Sequence, residues 1–352
     1  MEYRNLGKSG LKVSRFSLGT TRIFPETPTP DSQPLANKLI KAAFDSGINF
    51  FDTAETYSKG QAERCLGQAL LNLQVPRSDY VIYTKIFWGR FPENTNGVNN
   101  NGTSVKHLKE GLNRSLKNLQ TDYVDLVLCH RYDQDTPTRE VVQTMKHLIA
   151  ENKTLYWGTS AWPVERVMEA ILLCDILGCP RPICEQCEYS MIIREPVEKE
   201  YVSLFDDYGI GTMTWSPLKK GILTGKYNNG IPKGSRFDVH ADVKRREYKA
   251  GGIFSDENRE ATIEMLKKLG AVAERIGCSM AQLALAWVIK CEDVSNCILG
   301  ASSVEQLEEN LGALEVAGRL DATVLEEIEG ILGNRPQRPG NMRTFKPVPF
   351  RR

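Results

Sequence analysis

The stretch Gly47-Ile48-Asn49-Phe50-Phe51-Asp52-Thr53-Ala54-Glu55-Thr56-Tyr57 begins as a short apolar strand and ends in reactive groups. Asp52 stands where the strand stops, and Tyr57 follows on the loop. A carboxylate and a phenol so placed share one pocket floor. Two later strands also run into ionisable residues: Val81-Ile82-Tyr83-Thr84-Lys85 and Val124-Asp125-Leu126-Val127-Leu128-Cys129-His130. Asp, Tyr, Lys and His at the C-terminal ends of successive strands make an acid–base site.

Working outward, short apolar runs alternate with helical periodicity along the chain. Strands are predicted at 16–20, 47–52, 80–85, 123–129, 154–159, 183–186, 211–215 and 295–299. Helices are predicted at 35–44, 62–71, 104–119, 138–150, 163–177, 197–208, 256–276, 280–289 and 304–314, with Ser104 as an N-cap. Repeated strand–helix units imply parallel strands, and eight of them imply a closed (β/α)8 TIM barrel rather than an open sheet. No Gly-x-Gly-x-x-Gly follows the first strand, which argues against an open dinucleotide-binding fold. Residues 3–15 read as a β-hairpin cap. Residues 217–255, after the seventh strand, form a polar loop too long for a plain connection, and so a functional one is expected. One domain over 1–333 and an extended or disordered tail over 334–352, rich in Pro, Arg and Gly, complete the reading.

Composition excludes several classes of function. In 352 residues the formal net charge is +1, so nothing draws the whole molecule to nucleic acid or an anionic membrane. No apolar run approaches the ~20 residues of a spanning helix, and no signal peptide is evident. Nine scattered cysteines suit reduced thiols in a cytoplasmic setting. Cys184-Glu185-Gln186-Cys187 lies in a predicted strand, which suits structural thiols; no second pair is present to make a zinc site, and no metal is expected. The sequons at Asn101, Asn113 and Asn152 carry little meaning without secretion.

Brought to one face of a barrel, Asp52, Tyr57, Lys85 and His130 suit carbonyl reduction. A hydride arrives from a nicotinamide, and the developing alkoxide needs a proton, which Tyr57 supplies. A free phenol has a pKa of about 10, and the Lys85 ammonium is expected to lower it. Asp52 pairs with Lys85, and a neutral His130 orients the carbonyl. Glu55 and Glu63 lie nearby, Glu63 being expected as a solvated or bridging carboxylate. His107 and His147 are expected at helix surfaces or in packing, and His240 has no comparable context.

A nicotinamide dinucleotide has several places to bind. Thr20 and Ser160 end the first and fifth strands, and Gln186, ending the sixth, offers both donor and acceptor. Tyr189 either lies against the nicotinamide or packs in the barrel mouth. In Trp215-Ser216-Pro217-Leu218-Lys219-Lys220-Gly221-Ile222-Leu223-Thr224-Gly225-Lys226 small residues and lysines suit a pyrophosphate. It is not a triphosphatase loop: the spacing from Gly221 is one residue short, and no Ser or Thr follows Lys226. Gly300, Ser302, Gln306, Glu309 and Asn310 follow the eighth strand, where a glycine turn and serines open a helix. Phe24, Trp88, Tyr132 and Trp162 are candidates to line the substrate, with Trp88 and Trp162 foremost. No charged anchor is evident, so an uncharged aldehyde or ketone is expected.

At these motifs the chain resembles the aldo-keto reductases over about residues 3–314, with the closest likeness to the branch that includes voltage-gated potassium channel β subunits. Asp52, Tyr57, Lys85 and His130 match the family's catalytic tetrad, with tyrosine as the acid. The resemblance implies that the loop with Trp215, Ser216, Leu218, Gly221 and Lys226 clasps a pyrophosphate. It also implies that Arg236, Ser302 and Gln306 surround a 2′-phosphate, hence NADP(H). Departures are Lys219-Lys220, Ala161 where the channel branch has Arg, and His130 where it tends to have Asn. His130 favours turnover over cofactor sensing. The resemblance also carries an alternative, an NADPH-binding regulatory β subunit of a potassium channel, set second because of His130, Ala161 and the short stretch before the cap. That branch forms tetramers, so a homo-oligomer is a further expectation.

Overall fold

The computed structural model describes residues 1–21, 23–89 and 97–337. A hairpin comes first, β1 (Tyr3–Asn5) and β2 (Lys12–Ser14), followed by β3 (Phe16–Gly19), α1 (Ser32–Asp45), β4 (Phe50–Asp52), α2 (Gln61–Leu73) and β5 (Val81–Ile86). Then come α3 (Val105–Leu119), β6 (Val124–Cys129), α4 (Thr138–Ala150), β7 (Thr154–Ser160), α5 (Val164–Leu177) and β8 (Cys184–Glu188). A π-helical turn (Pro196–Glu200) runs into α6 (Val202–Asp206), followed by β9 (Gly211–Trp215), a 3-10 segment (Lys219–Thr224), α7 (Arg236–Val239) and α8 (Ala241–Tyr248). The chain continues through α9 (Arg259–Arg275), α10 (Met280–Lys290), β10 (Asn296–Leu299), α11 (Val304–Leu311), α12 (Ala313–Arg319) and α13 (Ala322–Leu332).

Strands β3 to β10 pair in parallel and close as β10-β3-β4-β5-β6-β7-β8-β9, the predicted (β/α)8 TIM barrel. Strand alternation explains where the reactive groups go. Phe50, Val81, Tyr83, Leu126, Leu128, Cys184 and Met213 fill the barrel interior. Phe51, Ile82, Val127, Cys129, Trp157 and Cys187 pack outward beneath the helices. Two residues beyond an inward Phe50, Tyr83, Leu128 or Cys184 come Asp52, Lys85, His130 and Gln186, on the same face at the C-terminal mouth. Cys184 and Cys187 therefore face opposite sides of β8, as free thiols.

The hairpin plugs the other end. Leu6 and Val13 are fully buried against the interior residues that begin the strands. Gly7 has φ +59°, and a Cβ there would lie 2.5 Å from the Gly209 oxygen and the Gly211 nitrogen, so only glycine allows this approach.

Two segments differ from expectation. The loop over 217–255 holds helical turns of its own rather than irregular chain. Helix α13 was not predicted, although Asp321 caps it and Val324, Ile328 and Leu332 give it a buried stripe. Its Glu329 pairs with the buried Arg194 at 2.8 Å. The start of the expected tail is held to the barrel, Asn334 donating to the Met191 oxygen at 2.9 Å, and residues 338–352 lie outside the described residues. Among the described residues no single helix is long and apolar enough to cross a membrane.

Candidate active site

At the floor of the mouth Lys85 is fully buried and donates to three oxygens: the Asp52 carboxylate, the Thr53 carbonyl at 2.7 Å and the Tyr57 hydroxyl at 3.1 Å. Asp52 is itself buried, and its carboxylate also takes the Gln186 amide at 3.4 Å and a hydrogen bond with Tyr83. The His130 ring stands edge-on to Tyr57, centroids 5.9 Å apart, and its buried Nδ1 has no partner among the described residues. The four side chains thus form one connected cluster, drawn from β4, the loop after it, β5 and the end of β6.

Burial sets the protonation of this cluster. It works to lower the Lys85 ammonium, but Asp52 and Tyr57 more than offset it, so the amine stays charged. It holds the His130 imidazole well below the ordinary histidine value, with Lys85 and Arg131 adding to the effect, so the ring is neutral. Burial outweighs the Lys85 ammonium, which acts to lower the Tyr57 phenol as expected, and the net shift is upward; Asp52 adds to it. The phenol therefore keeps its proton at neutral pH, as a proton donor must.

This floor opens into a cavity of about 960 Å³. Of the expected residues, Asp52, Tyr57, Trp88, His130, Ser160, Gln186, Trp215, Ser216, Leu218, Gly221, Lys226, Arg236, Gly300, Ser302, Gln306, Glu309 and Asn310 line it. Lys85 sits beneath it. Thr20 does not line it: its hydroxyl donates to the Asp52 carbonyl at 2.9 Å and ties the ends of β3 and β4 together. Trp162 does not line it either, being buried edge-on to Tyr132, with centroids 5.2 Å apart. Phe24 is likewise buried behind the wall, and Tyr132 faces a separate surface groove. Tyr189 packs against Trp287, ring centroids 5.3 Å apart, away from the cavity.

The loop after β9 folds against the mouth. Ser216, Lys219 and Lys220 have positive φ, as does Gly221 at +94°, so this stretch turns its backbone tightly toward the cavity. Lys219 pairs with Glu188 of β8 at 3.0 Å, and Lys220 pairs with Glu247 of α8. Further along, Lys226 and Arg236 lie close enough that Arg236, after burial, depresses the Lys226 ammonium. Beside them the buried Ser235 hydroxyl has no partner among the described residues and lines the same wall. Two neighbouring cations and an orphan hydroxyl fit a phosphate group, and the volume suits a dinucleotide. At the start of α11 the Gln306 carboxamide accepts from Ser302 through both its backbone N–H, at 3.0 Å, and its hydroxyl, at 2.9 Å.

Several functional positions escaped the sequence reading. Arg131 lines the cavity beside His130, a cation that the sequence reading did not weigh. His240, which had no assigned role, lines it too. Glu55 is fully buried and accepts from the Phe87 N–H at 2.7 Å, the Gly89 N–H at 3.0 Å and His107 at 3.1 Å, fixing the backbone that carries Trp88. His107 is therefore a buried partner rather than a surface residue. Glu63 is the bridging carboxylate of the two expected alternatives, buried rather than solvated: it accepts from Thr84 at 2.7 Å and Asn118 at 2.9 Å, and burial raises its carboxyl. On β8 Glu185 accepts from Thr159 and from the Ala161 N–H, holding the turn after β7, and burial pushes its carboxyl up to about 8. A family model described as Aldo/keto reductase family matches residues 15–332 of this chain.

Proposed function

The chain belongs to the aldo/keto reductase family, and on that premise we propose that it reduces an aldehyde or ketone to the alcohol with NADPH as reductant and Tyr57 as the acid. The observation that carries this reading is the Lys85 ammonium bound at once to Asp52 and, at 3.1 Å, to the Tyr57 hydroxyl. NADPH, held in the groove beside Lys226, Ser235 and Arg236, would supply the hydride. The protein's own groups handle the oxygen. Tyr57 holds its proton in the resting site and gives it to the oxygen that gains negative charge. The phenolate then formed is stabilised by Lys85, whose charge is held by Asp52 and the Thr53 carbonyl. Neutral His130 orients the carbonyl oxygen without competing as a stronger acid. Lys226, Ser235 and Arg236 support the phosphorylated cofactor over NAD(H), because they offer a cationic seat beyond what a pyrophosphate alone requires.

The test is Tyr57→Phe, followed by loss of reduced-nicotinamide absorbance with a panel of aldehydes. Turnover is expected to fall by about 10²- to 10⁴-fold, the usual worth of a positioned acid. NADPH binding, read by fluorescence, is expected to be unchanged. Undiminished turnover would remove Tyr57 from the mechanism.

A further inference from the structure

We propose that Arg131 is an anchor for an anionic group on the substrate, so that the carbonyl compounds this site prefers carry a carboxylate near the reacting carbon. This rests on the reductase reading and names its substrate class.

Arg131 directly follows His130 and lines the main cavity. Its guanidinium lies 6.0 Å from the centroid of the Trp88 ring, and Trp88 in turn stands edge-on to His130. One N–H donates to the His130 carbonyl. A guanidinium has five N–H donors, so most of its donor capacity remains for another group. Among the described residues Arg131 forms no ion pair. A half-buried cation in that position loses solvation and gains no close counter-charge among the described residues, and a bound carboxylate repairs the deficit with bidentate geometry. Burial does lower the Arg131 guanidinium, yet it remains a cation at neutral pH; Tyr57 and Glu185 act to raise it. Its field reaches the reacting groups, since it lowers both Tyr57 and His130.

The topology separates this charge from the cofactor seat. In the order β10-β3-β4-β5-β6 four steps divide β10 from β6, half of the eight-stranded circuit. Gly300 and Ser302 follow β10, and Lys226 and Arg236 follow its neighbour β9, whereas Arg131 follows β6 on the opposite rim. A phosphate held on the β9–β10 side leaves Arg131 for the other ligand. In that order Tyr57 follows β4, between the two, and His130 is the neighbour of Arg131 at the end of β6, so an anion on Arg131 puts the carbonyl of the same molecule on the side of the acid.

The experiment compares 4-carboxybenzaldehyde with its methyl ester, which has nearly the same shape and no charge. Wild type is expected to favour the acid by about tenfold or more in kcat/KM. Arg131→Met is expected to erase that preference and Arg131→Lys to keep part of it. Loss of packing on Trp88 affects both probes and cancels in the ratio. A wild-type ratio near one, or a ratio unchanged in Arg131→Met, overturns the proposal while the reductase reading stands. If wild type reduces neither probe, the reductase reading fails instead. Benzoate binding with NADP present, measured by calorimetry, then decides the anchor. Binding lost in Arg131→Met supports it, and equal binding in both proteins overturns it.

Discussion

Tyr57 carries a conflict between burial and charge that sets the pH behaviour of the site. Burial raises its phenol from 10.0, and burial lowers the His130 imidazole from 6.5. The acid must hold its proton and the imidazole must be neutral. Activity is therefore expected to be lost on the alkaline side only above the ordinary phenol range, and on the acid side only below the ordinary histidine range. The profile of kcat/KM, which reports the free enzyme, is expected to be flat across neutral pH. A fall centred near 6.5 would mean that His130 titrates as a solvated ring. The tetrad was legible because each member ends a strand or follows one closely, and strand ends converge in a barrel. Tyr83 was not singled out, although it lies two residues before Lys85 and so on the same face. Arg131 was not legible: two residues past the end of β6, alternation no longer says which way a side chain turns. The sign of the Tyr57 shift was hidden for another reason, because desolvation depends on depth, which a sequence does not give.

At the scale of elements, the segment over 217–255 and the helices beneath the site act as holders. Lys220 and Glu247 are both largely covered, with side chains 16% and 7% exposed, and they join the 3-10 turn to α8 across the cofactor side of the cavity. Removing one partner of such a pair leaves the other charge uncompensated. Glu247→Gln is expected to speed NADPH release by roughly tenfold, equivalent to about 1.4 kcal/mol, in stopped-flow displacement. An unchanged release rate would show that the loop does not have to move for the cofactor to leave. The sequence marked this loop by its length and its lysines, but not their partners, because Glu188 and Glu247 lie 31 and 27 residues away from them. The surroundings of Glu63 and Glu55 were left open for a related reason. A carboxylate at the start of an amphipathic helix, such as Glu63, or in a loop, such as Glu55, normally faces water, and only the contacts with Thr84 and Asn118 for the first and with Phe87 and Gly89 for the second show otherwise.

For the molecule as a whole, the barrel divides labour between its ends: the hairpin seals one, and the other carries the chemistry. Leu6→Ala is expected to cost about 2–5 kcal/mol of stability in denaturant unfolding, as a buried leucine lost from a packed interior. NADPH binding by the folded fraction is expected to be unaffected, since Leu6 sits at the opposite end from the groove. A large loss of affinity would mean that the two ends are coupled. The eight-fold alternation made the architecture readable, since parallel strands buried on both faces leave distinct apolar runs. Helix α13 escaped because it adds to the outer layer after the last strand, where no alternating partner calls for it. The central claim is a direct transfer from cofactor to carbonyl, with the proton coming from Tyr57. The measurement that tests it most directly is reduction of an aldehyde by NADPH carrying deuterium at the transferred position, with the product analysed by mass spectrometry. One deuterium bound to the carbinol carbon, with product formation lost in Tyr57→Phe, is the expected result. Tight NADPH binding without labelled alcohol from any aldehyde would contradict it and favour a cofactor-sensing role.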